Sequence, residues 1–121
     1  KWENYHTLYK PYIERIFKLA PDKPIIIAQT GTTAQYSDTE DFNVDMKNLW
    51  LLENYDYISK QPQVLGILYY DFDQTYYVEE ELRGCNWKIS SPESVFSGYE
   101  DGAANPEFKY LFIQDLKELI P

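Results

Sequence analysis

At 121 residues the chain has the length of one small domain, and its 44% hydrophobic content can supply a core. With 11 Lys and Arg against 20 Asp and Glu, the formal net charge of -9 and the absence of a basic patch argue against nucleic acid as a partner. Cys85 is the single cysteine and cannot close an internal disulfide, the lone His6 argues against a Ser-His-Asp triad or a zinc cluster, and no apolar run reaches the roughly 20 residues of a membrane span. The aromatic share of 17%, with Tyr 12, Phe 6 and Trp 3, has two readings. Some of these rings must pack helices on strands, and rings gathered at strand ends also stack on sugars or other flat apolar faces.

Residues 1–20 place Tyr5, Leu8, Tyr9, Tyr12, Ile13, Ile16 and Phe17 at three- and four-residue steps, which predicts an amphipathic helix. Pro11 is its weak point, because a proline inside a helix removes a donor and kinks the axis. Next comes Lys23-Pro24-Ile25-Ile26-Ile27-Ala28-Gln29-Thr30-Gly31. Its unbroken apolar run, rich in β-branched side chains, reads as a strand buried on both faces, as in a parallel sheet flanked by helices. Chemistry in such sheets sits past the carboxyl ends of the strands, so Gln29 is the first candidate functional residue. The plain alternative is a strand-end amide that ties down its loop.

A polar loop over 32–40 follows, in which Ser37 and Glu40 have capping-box spacing, and a second helix is predicted over 41–60. Gln61-Pro62-Gln63 breaks that helix, and residues 64–73 form a second buried strand whose start is aliphatic and whose end, Tyr69-Tyr70-Asp71-Phe72-Asp73, is aromatic and acidic. Residues 74–105 read as a long irregular segment carrying Glu79-Glu80-Glu81, Gly84 and Trp87. Asn105-Pro106-Glu107 is a strong start for a closing helix that runs to the terminus. Asp71 and Asp73 are candidates for a catalytic or metal-binding pair, or else for loop anchors or acceptors of sugar hydroxyls. Glu79, Glu80 and Glu81 have the oxygen chemistry to hold calcium, but solvated acids explain them as well. Two buried parallel strands leave backbone groups unsatisfied on their outer edges, so completion by more of the same protein or by another chain is expected.

Trp2 with Tyr5, the 23–31 strand, Trp50, Gly66-Ile67-Leu68-Tyr69-Tyr70-Asp71-Phe72-Asp73 and Asn86-Trp87-Lys88-Ile89 resemble the last third of the family 26 glycoside hydrolases. Those proteins are mostly secreted β-mannanases, with some mixed-linkage glucanases and xylanases. The resemblance implies an α/β fold in which residues 1–121 form the C-terminal portion of a (β/α)8 barrel, about its last three helices and last two strands. It implies a polysaccharide or oligosaccharide ligand, an extracellular location, no cofactor or metal, and remaining barrel strands from an upstream segment or another chain. It places Gln29 where the family has its glutamate nucleophile, and carries the aromatic wall of the sugar pocket onto Tyr69 or Tyr70 and a loop tryptophan onto Trp87. The family's acid/base glutamate belongs to sequence this chain does not contain.

Retaining hydrolysis needs two carboxyl groups about 5 to 5.5 Å apart, and an amide can neither attack the anomeric carbon nor exchange a proton with it. Gln29 keeps the size and hydrogen-bonding reach of glutamate without its charge. The expectation is therefore a glycoside hydrolase for mannan or mixed-linkage glucan whose nucleophile position holds Gln29 and whose present chain is incomplete for catalysis. The alternatives are a non-catalytic carbohydrate-binding or scaffold module and, third, an acidic interaction domain using its tyrosines. Hydrolysis assisted by a substrate acetamido group would need Asp71 or Asp73 as an orienting carboxylate.

Overall fold

Helix formation at the N-terminal end follows the apolar spacing but not as one rod. The computed structural model describes residues 3, 5–34, 41–91 and 96–108. The predicted 1–20 helix is divided at Tyr9 into α1 (Tyr5–Leu8) and α2 (Lys10–Leu19). Pro11 lies in the first turn of α2, where its missing N–H is one the helix would leave unbonded anyway. The chain then enters β1 (Ile25–Thr30), crosses through α3 (Val44–Ser59) and returns as β2 (Val64–Tyr69). Asn43 caps α3, its Oδ1 accepting from Met46 N at 2.9 Å. The Ser37–Glu40 spacing lies outside the described residues.

The two strands pair in parallel, as expected, with Ile25 opposite Val64, Ile26 opposite Gly66, Ile27 opposite Ile67 and Thr30 opposite Tyr69. The expected barrel portion is not there. The parallel sheet stops at two strands, and the only other described sheet is an antiparallel hairpin of β3 (Tyr76–Val78) and β4 (Glu81–Arg83). The described residues make a small α/β fold with two separate two-stranded sheets, not the C-terminal portion of a (β/α)8 barrel. Nor are the strands dry on both faces: Ile26 is 62% exposed, Leu65 71% and Leu68 55%. An aliphatic run reports β-propensity, and it reports burial only when a second layer arrives to cover it.

The other face is covered. Tyr5, Ile13, Trp50, Leu51 and Tyr55 form the buried cluster against which Ile27, Ile67 and Tyr69 pack. Within the segment read as irregular, residues Phe96–Ala103 form α4, which lies against α3. Gly98 and Gly102, four apart on one side of α4, permit that approach. A Cβ on Gly98 would sit 2.6 Å from the Asn48 Cα, and one on Gly102 would sit 3.0 Å from Tyr55 Cδ2. The Gly98 N–H donates to Asn48 Oδ1 at 2.9 Å. Asn105 makes a turn, its Oδ1 accepting from Glu107 N at 3.0 Å, and the predicted closing helix from 109 onward lies outside the described residues.

Candidate functional site

The carboxyl ends of β1 and β2 meet at Gly31. Between the Ile27–Ile67 and Thr30–Tyr69 pairs, β1 carries two residues, Ala28 and Gln29, where β2 carries only Leu68. Such a bulge bends the strand and re-aims side chains. Thr30 therefore turns into the core, 2% exposed, with Oγ1 accepting from Asn54 Nδ2 at 3.5 Å, and Gln29 stands exposed at the strand end. The Asn54 amide oxygen is buried and has no hydrogen-bond partner among the described residues.

Past β2 the chain stays close to β1. Tyr70 N donates to Thr30 O at 2.7 Å, and Trp87 N donates to Phe72 O at 2.9 Å. These bonds bring the base of the Tyr70 side chain and the Trp87 ring to the same glycine: a Cβ on Gly31 would lie 3.5 Å from Tyr70 Cβ and 3.6 Å from Trp87 Cε3. Tyr70 leans on Phe72 with ring centroids 6.1 Å apart, and Phe72 is 56% exposed. Gly31, Tyr70 and Trp87, with Gln29 exposed on the neighbouring bulge, make up the candidate site.

Tyr69 is on the other side. Its ring packs against Tyr99 at 6.2 Å, and its hydroxyl donates to Thr32 O at 2.9 Å while accepting from Thr32 N at 3.4 Å. Burial pushes its phenol up to about 12. Of the two tyrosines proposed for a sugar wall, Tyr70 alone meets Trp87 at Gly31, and Tyr69 belongs to the core.

Both aspartates are turned to holding the chain. Asp73 Oδ1 accepts from Thr75 Oγ1 at 2.6 Å and Thr75 N at 2.9 Å, and its Oδ2 accepts from Asn86 Nδ2 at 3.1 Å. The Thr75 hydroxyl and N–H hold this carboxyl below the usual range. Asp71 Oδ1 accepts from Ile89 N at 2.7 Å. Among the described residues, no three His, Cys, Asp or Glu side chains gather to bind a metal ion, and no helix is long and apolar enough to cross a membrane.

The residue that sequence reading missed is Lys47. It is fully buried, and Nζ donates to Lys88 O at 2.5 Å and Ser91 O at 3.1 Å, fastening the segment that carries Trp87. Burial lowers its ammonium to about 8, against a smaller opposing field from Asp71. Its spacing was the available signal, since 47, 51, 54 and 58 follow one stripe of α3 and all four are buried.

Comparison of the chain with protein-family models, curated proteins and solved structures finds no match. The class that the fold and the site define is accordingly a physical one. It is a β-α-β unit in which Tyr70, just past β2, and Trp87, from a later segment, meet at the glycine that follows β1.

Proposed function

We propose that this chain is a non-catalytic carbohydrate-binding module for a β-linked polysaccharide such as mannan or mixed-linkage glucan. The observation that supports it is the convergence of the Tyr70 and Trp87 side chains on Gly31, two residues after the exposed Gln29. Aromatic faces stack on the C–H faces of pyranose rings, and an amide both donates to and accepts from hydroxyls. Asp71 and Asp73, spent on Ile89, Thr75 and Asn86, anchor the segments bearing the rings. An extracellular location accords with such a ligand.

Affinity electrophoresis in gels cast with mannan, mixed-linkage glucan or xylan tests this. Retardation by at least one of them is expected, with affinity reduced about tenfold or more in Trp87→Ala and Tyr70→Ala, since one stacked ring contributes on the order of 1 kcal/mol or more. No retardation in any gel sinks the proposal. The rival is the hydrolase whose nucleophile position holds Gln29, favoured by the place of that residue at a strand-end bulge. Reducing-sugar release by Gln29→Glu establishes the rival, and its absence alongside retained binding supports the module.

A further inference from the structure

Lys47 Nζ has two acceptors, both on one short stretch: Lys88 O and Ser91 O. A neutral amine has two N–H groups to donate and an ammonium has three. Among the described residues Lys47 is in no ion pair. Asp71, on the segment after β2, is the carboxylate whose field reaches it, and that side chain accepts from Ile89 N. Tyr69 on β2 is an uncharged phenol, and Lys88, on the stretch itself, is exposed and acts on Asp73. A buried ammonium without a counterion is costly, and it escapes that cost by losing a proton or by regaining water. Water reaches the amine when the stretch that covers it moves away.

We propose that residues 86–91 form a pH-sensitive strap, closed over the neutral Lys47 amine and lifted, together with Trp87, when the amine is protonated and hydrated. The sign follows from linkage. The closed form binds the proton less tightly than the lifted form, so falling pH drives lifting. The depression of this amine to about 8 by burial agrees with the geometry. The Asp71 side chain, which accepts from Ile89 N, returns the strap to one place. The inference does not depend on what the chain binds, because Trp87 reports the motion without ligand.

The test is 19F NMR of protein labelled with 5-fluorotryptophan, which has three tryptophans, with Trp87 assigned through Trp87→Phe. Between pH 10 and 8 the lifted-to-closed ratio read at Trp87 rises about tenfold per unit as pH falls, and it levels off below 8. Lys47→Met holds Trp87 at its high-pH position throughout, and Lys47→Arg, which keeps its charge, holds it at the low-pH position. The titration persists in Cys85→Ser, which removes the thiol two residues before Trp87. A Trp87 resonance indifferent to pH over this range overturns the proposal, as does a titration that survives in Lys47→Met or Lys47→Arg or vanishes in Cys85→Ser.

Discussion

Lysine at position 47 occupies a place where leucine would continue the buried stripe of α3, and its proton equilibrium marks the whole fold. Its folded value of about 8 lies below the ordinary 10.5. Between those values the unfolded chain binds more protons than the folded one, so stability rises as pH climbs from 8 to 10.5 and is lost as pH falls back through 8. The amplitude is on the order of 3 kcal/mol. Urea unfolding across this range is expected to show that slope in the wild type and its loss in Lys47→Met. Gln63 offers a second test at this scale. Its Nε2 donates to Ala20 O at 3.1 Å, to Lys23 O at 3.2 Å and to Pro21 O, so one amide gathers the turn between α2 and β1. Gln63→Glu turns a carboxylate toward those carbonyls and is expected to cost about 1 to 3 kcal/mol in urea midpoints, more than Gln63→Met.

Among the elements, the β3–β4 hairpin turns through Glu79 and Glu80 at φ of 51° and 67°. Positive φ at both central residues is the two-residue hairpin turn that favours Asn-Gly. The double variant Glu79→Asn/Glu80→Gly is expected to strengthen the hairpin by about 1 to 2 kcal/mol, seen as slower amide exchange in Tyr76 and Arg83. The α3–α4 contact is sensitive in the opposite direction. A methyl on Gly98 meets Asn48 backbone at 2.6 Å, which no rotamer relieves. Gly98→Ala should lower the urea midpoint by an amount equivalent to about 1 to 3 kcal/mol, whereas Ala at the exposed Ser97 should leave it nearly unchanged. The spacing of Gly98 and Gly102 was visible in the chain, yet lay in a stretch whose length and turn residues read as irregular.

Among the described residues the β1–β2 sheet has one covered face and one exposed face, and the two should respond differently to truncation. Leu51→Ala, at a fully buried position, is expected to cost about 2 to 5 kcal/mol, and Leu68→Thr, on the bare face, about 0.5 kcal/mol or less by the same urea assay. The family resemblance alone made Tyr70 and Trp87 candidates, and the strand-helix-strand order implied the parallel sense of β1 and β2; local pattern was enough to find the α2, α3 and strand segments and Gln29. Each of those depends on periodicity, β-propensity or turn residues within about ten neighbours. The divided first helix, the two-strand limit of the sheet, the hairpin and the inward turn of Tyr69 were not legible there, because an aliphatic run looks alike whether both its faces are covered or one. By itself, then, the sequence determined the α2, α3, β1 and β2 segments and the place of Gln29 near a strand end. The tertiary structure alone decided which of them share a site and that Lys47 lies under the Trp87 segment, since burial and hydrogen bonding across some forty residues are properties of the packed chain.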